Sequence, residues 1–146
     1  MKSTDIPVSQ YQALSEFRYQ IRKFLHFSEM AAQTVGLETH QHQLLLVVRG
    51  CTEAADEPTI GYIAERLQVR HHSAVELVTR TEAHGLVCRR NSEHDRRRVI
   101  VALTGTGESL LHDLSAHHIS EIHRMAPALV AALREVLANV LDAGTG

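Results

Sequence analysis

The sequence predicts a mainly α-helical chain interrupted once by a small β-hairpin. Three observations carry this expectation. Apolar residues recur at three- and four-residue spacing along most of the chain, and the period drops to two near residues 99–103. Glycine, proline and short polar residues stand where helices would start and stop.

Taken in order, Leu14, Phe17, Ile21, Phe24 and Leu25 predict a long amphipathic helix over about residues 8 to 35, ended by Gly36. Glu38 or Thr39 begins a second, whose inner face is Leu44, Leu45, Val47 and Val48. The stretch Ala54-Ala55-Asp56-Glu57-Pro58 reads as a break. Thr59 caps a short third helix that points Ile60, Ile63, Ala64 and Leu67 inward. Gln68-Val69-Arg70 connects it to a fourth, roughly 71 to 84, buried through Ala74, Leu77 and Val78 and stopped by Gly85. Leu86-Val87-Cys88 leads to a polar tip, Asn91 to Asp95, and Val99, Val101 and Leu103 alternate on the return strand. Thr104 is placed to cap a fifth helix from about 105 to 123. Pro127 is placed to open a sixth, with a stripe of Leu129, Leu133, Val136, Leu137, Val140 and Leu141.

Composition narrows the class. The 146 residues are 44% apolar, enough for a core. No apolar run reaches the roughly 18 to 20 residues that span a bilayer, and Met1 to Asp5 lead into no secretory signal. The two cysteines, Cys51 and Cys88, form no metal-ligand spacing, so a reduced, cytoplasmic protein is expected. Net charge is only −2, but its distribution is uneven. From Arg66 to Arg98 there are eight arginines against four acids, Glu76, Glu82, Glu93 and Asp95. A basic segment in an otherwise acidic chain suits a surface that faces phosphates, although a solvated charged face would show the same excess.

The third helix, three-residue turn and fourth helix have the dimensions of a helix-turn-helix, in which the start of the second helix meets base edges in the major groove. Those residues here are Arg70, His71, His72, Ser73 and Glu76, with Thr79 and Arg80 one turn later. Most can donate to bases or phosphates. Glu76 is the exception, an acceptor for a cytosine amino group or a partner for Arg80. The hairpin adds Arg89, Arg90, Arg96, Arg97 and Arg98 around one tip. Arginine suits the negative potential of a narrow minor groove, and Asp95 is spaced to hold the Arg97 guanidinium by a bidentate pair.

Gly85-Leu86-Val87, Asp95-Arg96-Arg97, and Val101-Ala102-Leu103-Thr104 with Gly107 resemble the MarR pattern G-L-V…D-x-R…V-x-L-T-x-x-G. Gly36-Leu37…Gln41…Leu44-Leu45 and Ile63-Ala64-Glu65-Arg66-Leu67 are similar to that family's second and third helices, so the likeness covers about residues 36 to 110. The resemblance implies a winged helix-turn-helix lobe over 38–104, with dimerisation helices at 5–36 and 105–143. It further implies a homodimer on a double-stranded, palindromic DNA operator, with recognition helices about 34 Å apart. Arg97 would be the minor-groove residue, oriented by Asp95 and flanked by Arg96 and Arg98. Thr81, at a position usually apolar, and His71-His72, in place of small residues or proline, depart from the pattern.

Regulators of this kind often respond to a small molecule, an oxidant or a metal. No cysteine lies in the first helix, and Cys88 on a strand reads as a buried packing residue. The eleven histidines include no metal-binding spacing, and no cofactor is implied. His71, His72, His84 and His94 read instead as phosphate contacts. Tyr11, Arg18, Tyr19, Arg22 and His42 are candidates to line a site for a small aromatic or carboxylate effector. Enzyme motifs are missing: there is no phosphate-cradling glycine loop, nucleophile elbow or metal-hydrolase motif. A winged helix used only for protein contact would more often carry aromatic anchors, which the hairpin lacks. The expectation is a ligand-responsive repressor; a metal- or redox-responsive regulator of the same fold is the alternative.

Overall fold

In the computed structural model, residues 5–51 and 57–142 are described, with side chains described as far as residue 138. The elements are α1 (Val8–Thr34), α2 (Thr39–Gly50), α3 (Ile60–Leu67), α4 (His71–Ala83), β1 (Val87–Asn91), β2 (Val99–Leu103) and α5 (Gly105–Asp142). Contacts divide the chain into two compact units, Ala31–Ala116 and a second formed by its two ends.

The Ala31–Ala116 unit is built around the residues that the helical period selects. Leu44 and Leu45 of α2, Ile63 of α3, Ala74, Leu77 and Val78 of α4, and Leu111 and Leu114 of α5 form one buried cluster. β1 and β2 pair antiparallel with Val87 opposite Leu103, Arg89 opposite Val101 and Asn91 opposite Val99. Val87 and Val101 close the cluster from the sheet side. The alternation expected of Val99, Val101 and Leu103 is only partial. Val99 is exposed, whereas the adjacent pair Ile100 and Val101 are both buried. Ile100 is covered because the segment before α3 runs alongside β2: Thr59 bridges Ile100, and the Val101 amide donates to Pro58 O at 2.9 Å.

Caps account for the element ends. Thr59 Oγ1 accepts from Tyr62 N at 3.2 Å and starts α3. At the other end, Gln68 takes φ +56, and Val69 N reaches back to Ala64 O at 3.0 Å, so a non-glycine residue adopts the left-handed stop. Gly85, at φ +73, closes α4 in the same way, with Leu86 N on Thr81 O. Thr104 Oγ1 accepts from Gly107 N at 3.1 Å and donates to Gly85 O at 2.6 Å, joining the start of α5 to the end of α4. Thr81, polar where the resemblance expects an apolar residue, is fully buried and gives its proton to Leu77 O at 2.8 Å.

The two-ended unit contains α1 as far as Met30 and α5 from His117. Within it, His118 is buried, lies 2.9 Å from Ser28 Oγ, and meets the rings of Phe24 and Phe27 edge-on. Tyr11, Leu14, Tyr19, Leu25, Ile119, Ile122, Val130, Leu133 and Leu137 are exposed.

One expectation is corrected here. Pro127 does not open a sixth helix, because α5 runs unbroken from Gly105 to Asp142 with Pro127 inside it. Proline in a helix interior costs about 3 kcal/mol. Met125 and Ala132, on either side of it in sequence, are buried. Residues 1–4, Ala54-Ala55-Asp56 of the break, the end of the 105–143 helix at residue 143, and the Val140 and Leu141 side chains lie outside the described set.

Candidate nucleic-acid interface

The three-residue connection from α3 to α4, and the hairpin that follows α4, place two polar surfaces on one compact unit. On α4, Arg70, His71, His72 and Glu76 are exposed and Ser73 is half-buried, while Ala74, Leu77 and Val78 face the core. Arg70 caps the helix through its carbonyl, which accepts from Ala74 N at 3.0 Å, and supplies no side-chain cap.

The second half of α4 is tied to the protein. Arg80 Nη2 reaches Glu38 Oε2 at the start of α2 (3.1 Å), so the partner expected for it, Glu76, is not the one it takes. Thr79 Oγ1 gives its proton to Val75 O at 2.9 Å and accepts from Arg89 Nη2 at 2.9 Å. His84 is likewise engaged. Gln41 Oε1 accepts the Glu38 amide at 3.0 Å, and a backbone N–H can only donate, so the Gln41 amide nitrogen faces His84. It donates to His84 Nδ1 at 3.1 Å, so this ring nitrogen is an acceptor within the lobe and the neutral ring carries its proton on Nε2. Of the four histidines read as phosphate contacts, His71, His72 and His94 are exposed with no ring hydrogen bond among the described residues, and His84, also exposed, is held through Nδ1.

The hairpin tip is rigidly built. Ser92 is buried and its Oγ accepts from the His94 and Asp95 amides at 3.1 and 3.2 Å. The same hydroxyl donates to Glu57 Oε1, and Arg98 Nη1 stands 3.7 Å from Glu57 Oε2. Ser92 N on Arg98 O and Arg98 N on Asp95 O close the turn, both at 2.9 Å. Asp95 Oδ1 accepts the Arg97 backbone amide at 3.0 Å and its Nε at 3.5 Å. The expected two-oxygen clasp is therefore a single oxygen gripping mainly the backbone. It fixes the turn and leaves the Arg97 side chain 91% exposed. Arg90 and Arg96 are exposed as well. Arg89 is not part of this tip: its guanidinium turns back onto α4 and pairs with Glu82 at 2.9 Å. No spacing signal points to the Glu57 and Ser92 buttress, because a loop residue far along the chain supplies the carboxylate.

The residues expected to line an effector site fall in both units. Tyr11, Arg18 and Arg22 recur at helical spacing on one side of α1, exposed together with Tyr19, over whose ring Lys23 lies. His42 is buried in the other unit, so its ring offers little surface to a ligand. A cleft of about 310 Å³ lies between α2, β2 and the start of α5, lined by Val48, Arg49, Cys51, Arg90, Ile100 and Glu108 among others, and none of the five contributes to it. Cys88, expected to be a packing residue, is exposed, because the β1 side chain that faces the core is its neighbour Val87. Among the described residues there is no group of three or more histidine, cysteine or acidic side chains that could hold a metal ion.

A helix pair with a tight turn, followed directly by an arginine-tipped hairpin on the same core, is a winged helix-turn-helix. Residues 35–98 match the family model described as MarR family, the family whose pattern residues 36 to 110 resemble. None of the curated proteins matches the chain in sequence. Among solved structures, it is similar to AbsC, a MarR family transcriptional regulator from Streptomyces coelicolor. The identity is 21%, the TM-score 0.72, and 96% of this chain and 97% of that one are covered. A MepR variant from S. aureus bound to an oligodeoxyribonucleotide is 18% identical, with TM-score 0.62 and coverage of 91% and 96%. CouR from Rhodococcus jostii, bound to p-coumaroyl-CoA, is 23% identical, with TM-score 0.64 and coverage of 81% and 83%. These likenesses establish that the chain has the fold of MarR-family transcription regulators.

Proposed function

We propose that this chain is a sequence-specific, double-stranded-DNA-binding transcription regulator that acts as a homodimer on a palindromic operator. The observation that carries the reading is the wing. Five backbone and side-chain hydrogen bonds around Ser92 and Asp95 rigidify a tip from which the Arg97 side chain extends into solvent. A bare guanidinium on a pre-organised hairpin, beside a helix that exposes Arg70, His71, His72 and Glu76, suits simultaneous minor- and major-groove contact. The MepR variant seen with an oligodeoxyribonucleotide supports the same use of the fold.

The homodimer rests on the two-ended unit. Ile122, Leu133 and Leu137 of α5 and Tyr11, Leu14 and Leu25 of α1 are large apolar side chains exposed in the single chain, and apolar surface of this kind suits a protein–protein contact. Two copies that share this surface would carry two recognition helices and match a palindrome. Repression would follow from occupying a promoter and excluding polymerase, without enzymatic chemistry. A small aromatic or carboxylate effector is proposed to engage the Tyr11, Arg18, Tyr19 and Arg22 side of α1; the CouR complex supports this class of ligand. The site of action is proposed to be the cytoplasm, and no described helix is long and apolar enough to cross a membrane.

Selection of bound fragments from a random duplex library tests the reading. An inverted repeat with half-sites centred about 10 base pairs apart is expected. Recovery of unrelated sequences, or of a single unpaired half-site, would refute the operator model.

A further inference from the structure

Glu82 is poorly placed by simple electrostatics. It lies in the last turn of α4, where the negative end of the helix dipole disfavours an acid, and in the lobe assigned to face a polyanion. Its contacts explain its presence. Oε2 accepts the backbone amide of Arg89 on β1 at 2.9 Å, and Oε1 accepts Arg89 Nη1 at 2.9 Å. Arg89 Nη2 continues to Thr79 Oγ1 at 2.9 Å and to Val75 O at 3.4 Å. The Thr79 hydroxyl has a single proton, already given to Val75 O, so it cannot donate to a phosphate or base in this arrangement. One arginine at the middle of β1 is thus bonded to two successive turns of α4, and one carboxylate is bonded to both its main chain and its side chain. α4 and the wing also share the core through Val87 and Val101, and the link between them is held where Thr104 bonds the Gly85 and Leu86 carbonyls.

We propose that Arg89 and Glu82 are positioning residues that fix the wing relative to α4, so that Arg97 and the first turn of α4 reach their grooves together. Thr79 serves this brace rather than reading the operator. The inference rests on the DNA-binding reading above. Two rigid contact surfaces must be held in register for both to engage at once, and an acid that supplies that register helps binding although its charge opposes it.

The sign of the Glu82→Gln effect is therefore diagnostic. Removing a negative charge near DNA should strengthen binding if Glu82 acts only through the field. If it acts as a brace, selective binding weakens. The test is fluorescence anisotropy on the selected operator and on a scrambled duplex, for the full chain carrying Glu82→Gln, Arg89→Gln, Arg97→Ala and the double change Glu82→Gln with Arg97→Ala. Glu82→Gln is expected to weaken operator binding about tenfold while scrambled-duplex binding holds or tightens. Arg97→Ala is expected to cost less in the Glu82→Gln background than alone, because a misaligned wing has already lost part of that contact. Thr79→Val, a near-isosteric change at an exposed site, is expected to move operator binding in the same direction by less, with an unchanged unfolding midpoint. Operator binding by Glu82→Gln that is equal to or tighter than that of the unaltered protein would overturn the inference, as would full additivity with Arg97→Ala. If the unaltered protein binds neither duplex at low salt, the DNA-binding reading fails first and the inference with it.

Discussion

Gly107 sits where no other residue fits, and the Gly107→Ala substitution isolates that requirement. A Cβ built there would stand 2.1 Å from Leu86 O and 3.0 Å from Leu86 C. The obstacle is backbone, and it is held in place: Leu86 is buried and its carbonyl accepts Thr104 N at 3.0 Å. Ordinary contact requires the first turn of α5 or the end of the α4 link to move by about an ångström, and overpacking of this kind costs roughly 1–3 kcal/mol. Alanine returns about 0.5–1 kcal/mol through its better helix propensity. The expected net loss is about 1–2 kcal/mol. Gly105→Ala, two residues earlier with nothing within 4 Å of the new methyl, is the control and is expected to be neutral or slightly stabilising. Equilibrium urea unfolding of both variants at equal protein concentration reads the difference. Gly107→Ala as stable as the unaltered chain, or more so, would refute the packing account of the strand-to-helix junction.

Further expectations concern the turn, the apolar surface and an exposed ion pair. Gln68→Gly should stabilise the lobe by roughly 0.5–1 kcal/mol in the same assay, because relief of the left-handed strain exceeds the loss of the exposed Gln68 Nε2 bond to Glu65 O. Leu133→Glu combined with Leu137→Glu should convert a dimer to monomer in sedimentation velocity at micromolar concentration, since both residues are 41% and 55% exposed in the single chain. The Arg124 guanidinium, by hydrogen bond and then by charge, holds the Glu121 carboxyl below its ordinary value. Its contribution to stability is therefore present above the ordinary carboxylate range and lost as pH falls through the lowered value. Because the pair is exposed, Glu121→Gln should change the unfolding midpoint only slightly at neutral pH, and not at all in strong acid.

The helical periods of α2, α3 and α4 were legible because each buries one stripe against a single core, which makes Leu44, Ile63, Ala74 and Leu77 stand out by spacing alone. Thr59, Gly85 and Thr104 were legible because capping is local chemistry. Pro127 misled for the same reason. Its local preference is for a first turn, yet α5 continues through it, with Met125 and Ala132 buried along the helix. The arginines of the tip could be counted in the sequence, yet their different fates could not. Arg97 is left in solvent by a turn that grips its backbone, Arg98 approaches Glu57, and Arg89 folds back on Glu82. The last two outcomes depend on residues 41 and 7 positions away, which no spacing rule connects.

Binding of the unaltered chain and of Arg97→Ala to operator and scrambled duplexes across a range of salt concentrations tests the central claim most directly. Tight, selective binding that falls steeply with salt is expected. Arg97→Ala is expected to lose at least tenfold on the operator, with a salt slope shallower by about 0.9. Equal binding to both duplexes, or an Arg97→Ala protein that binds the operator as tightly as the unaltered one, would contradict that claim.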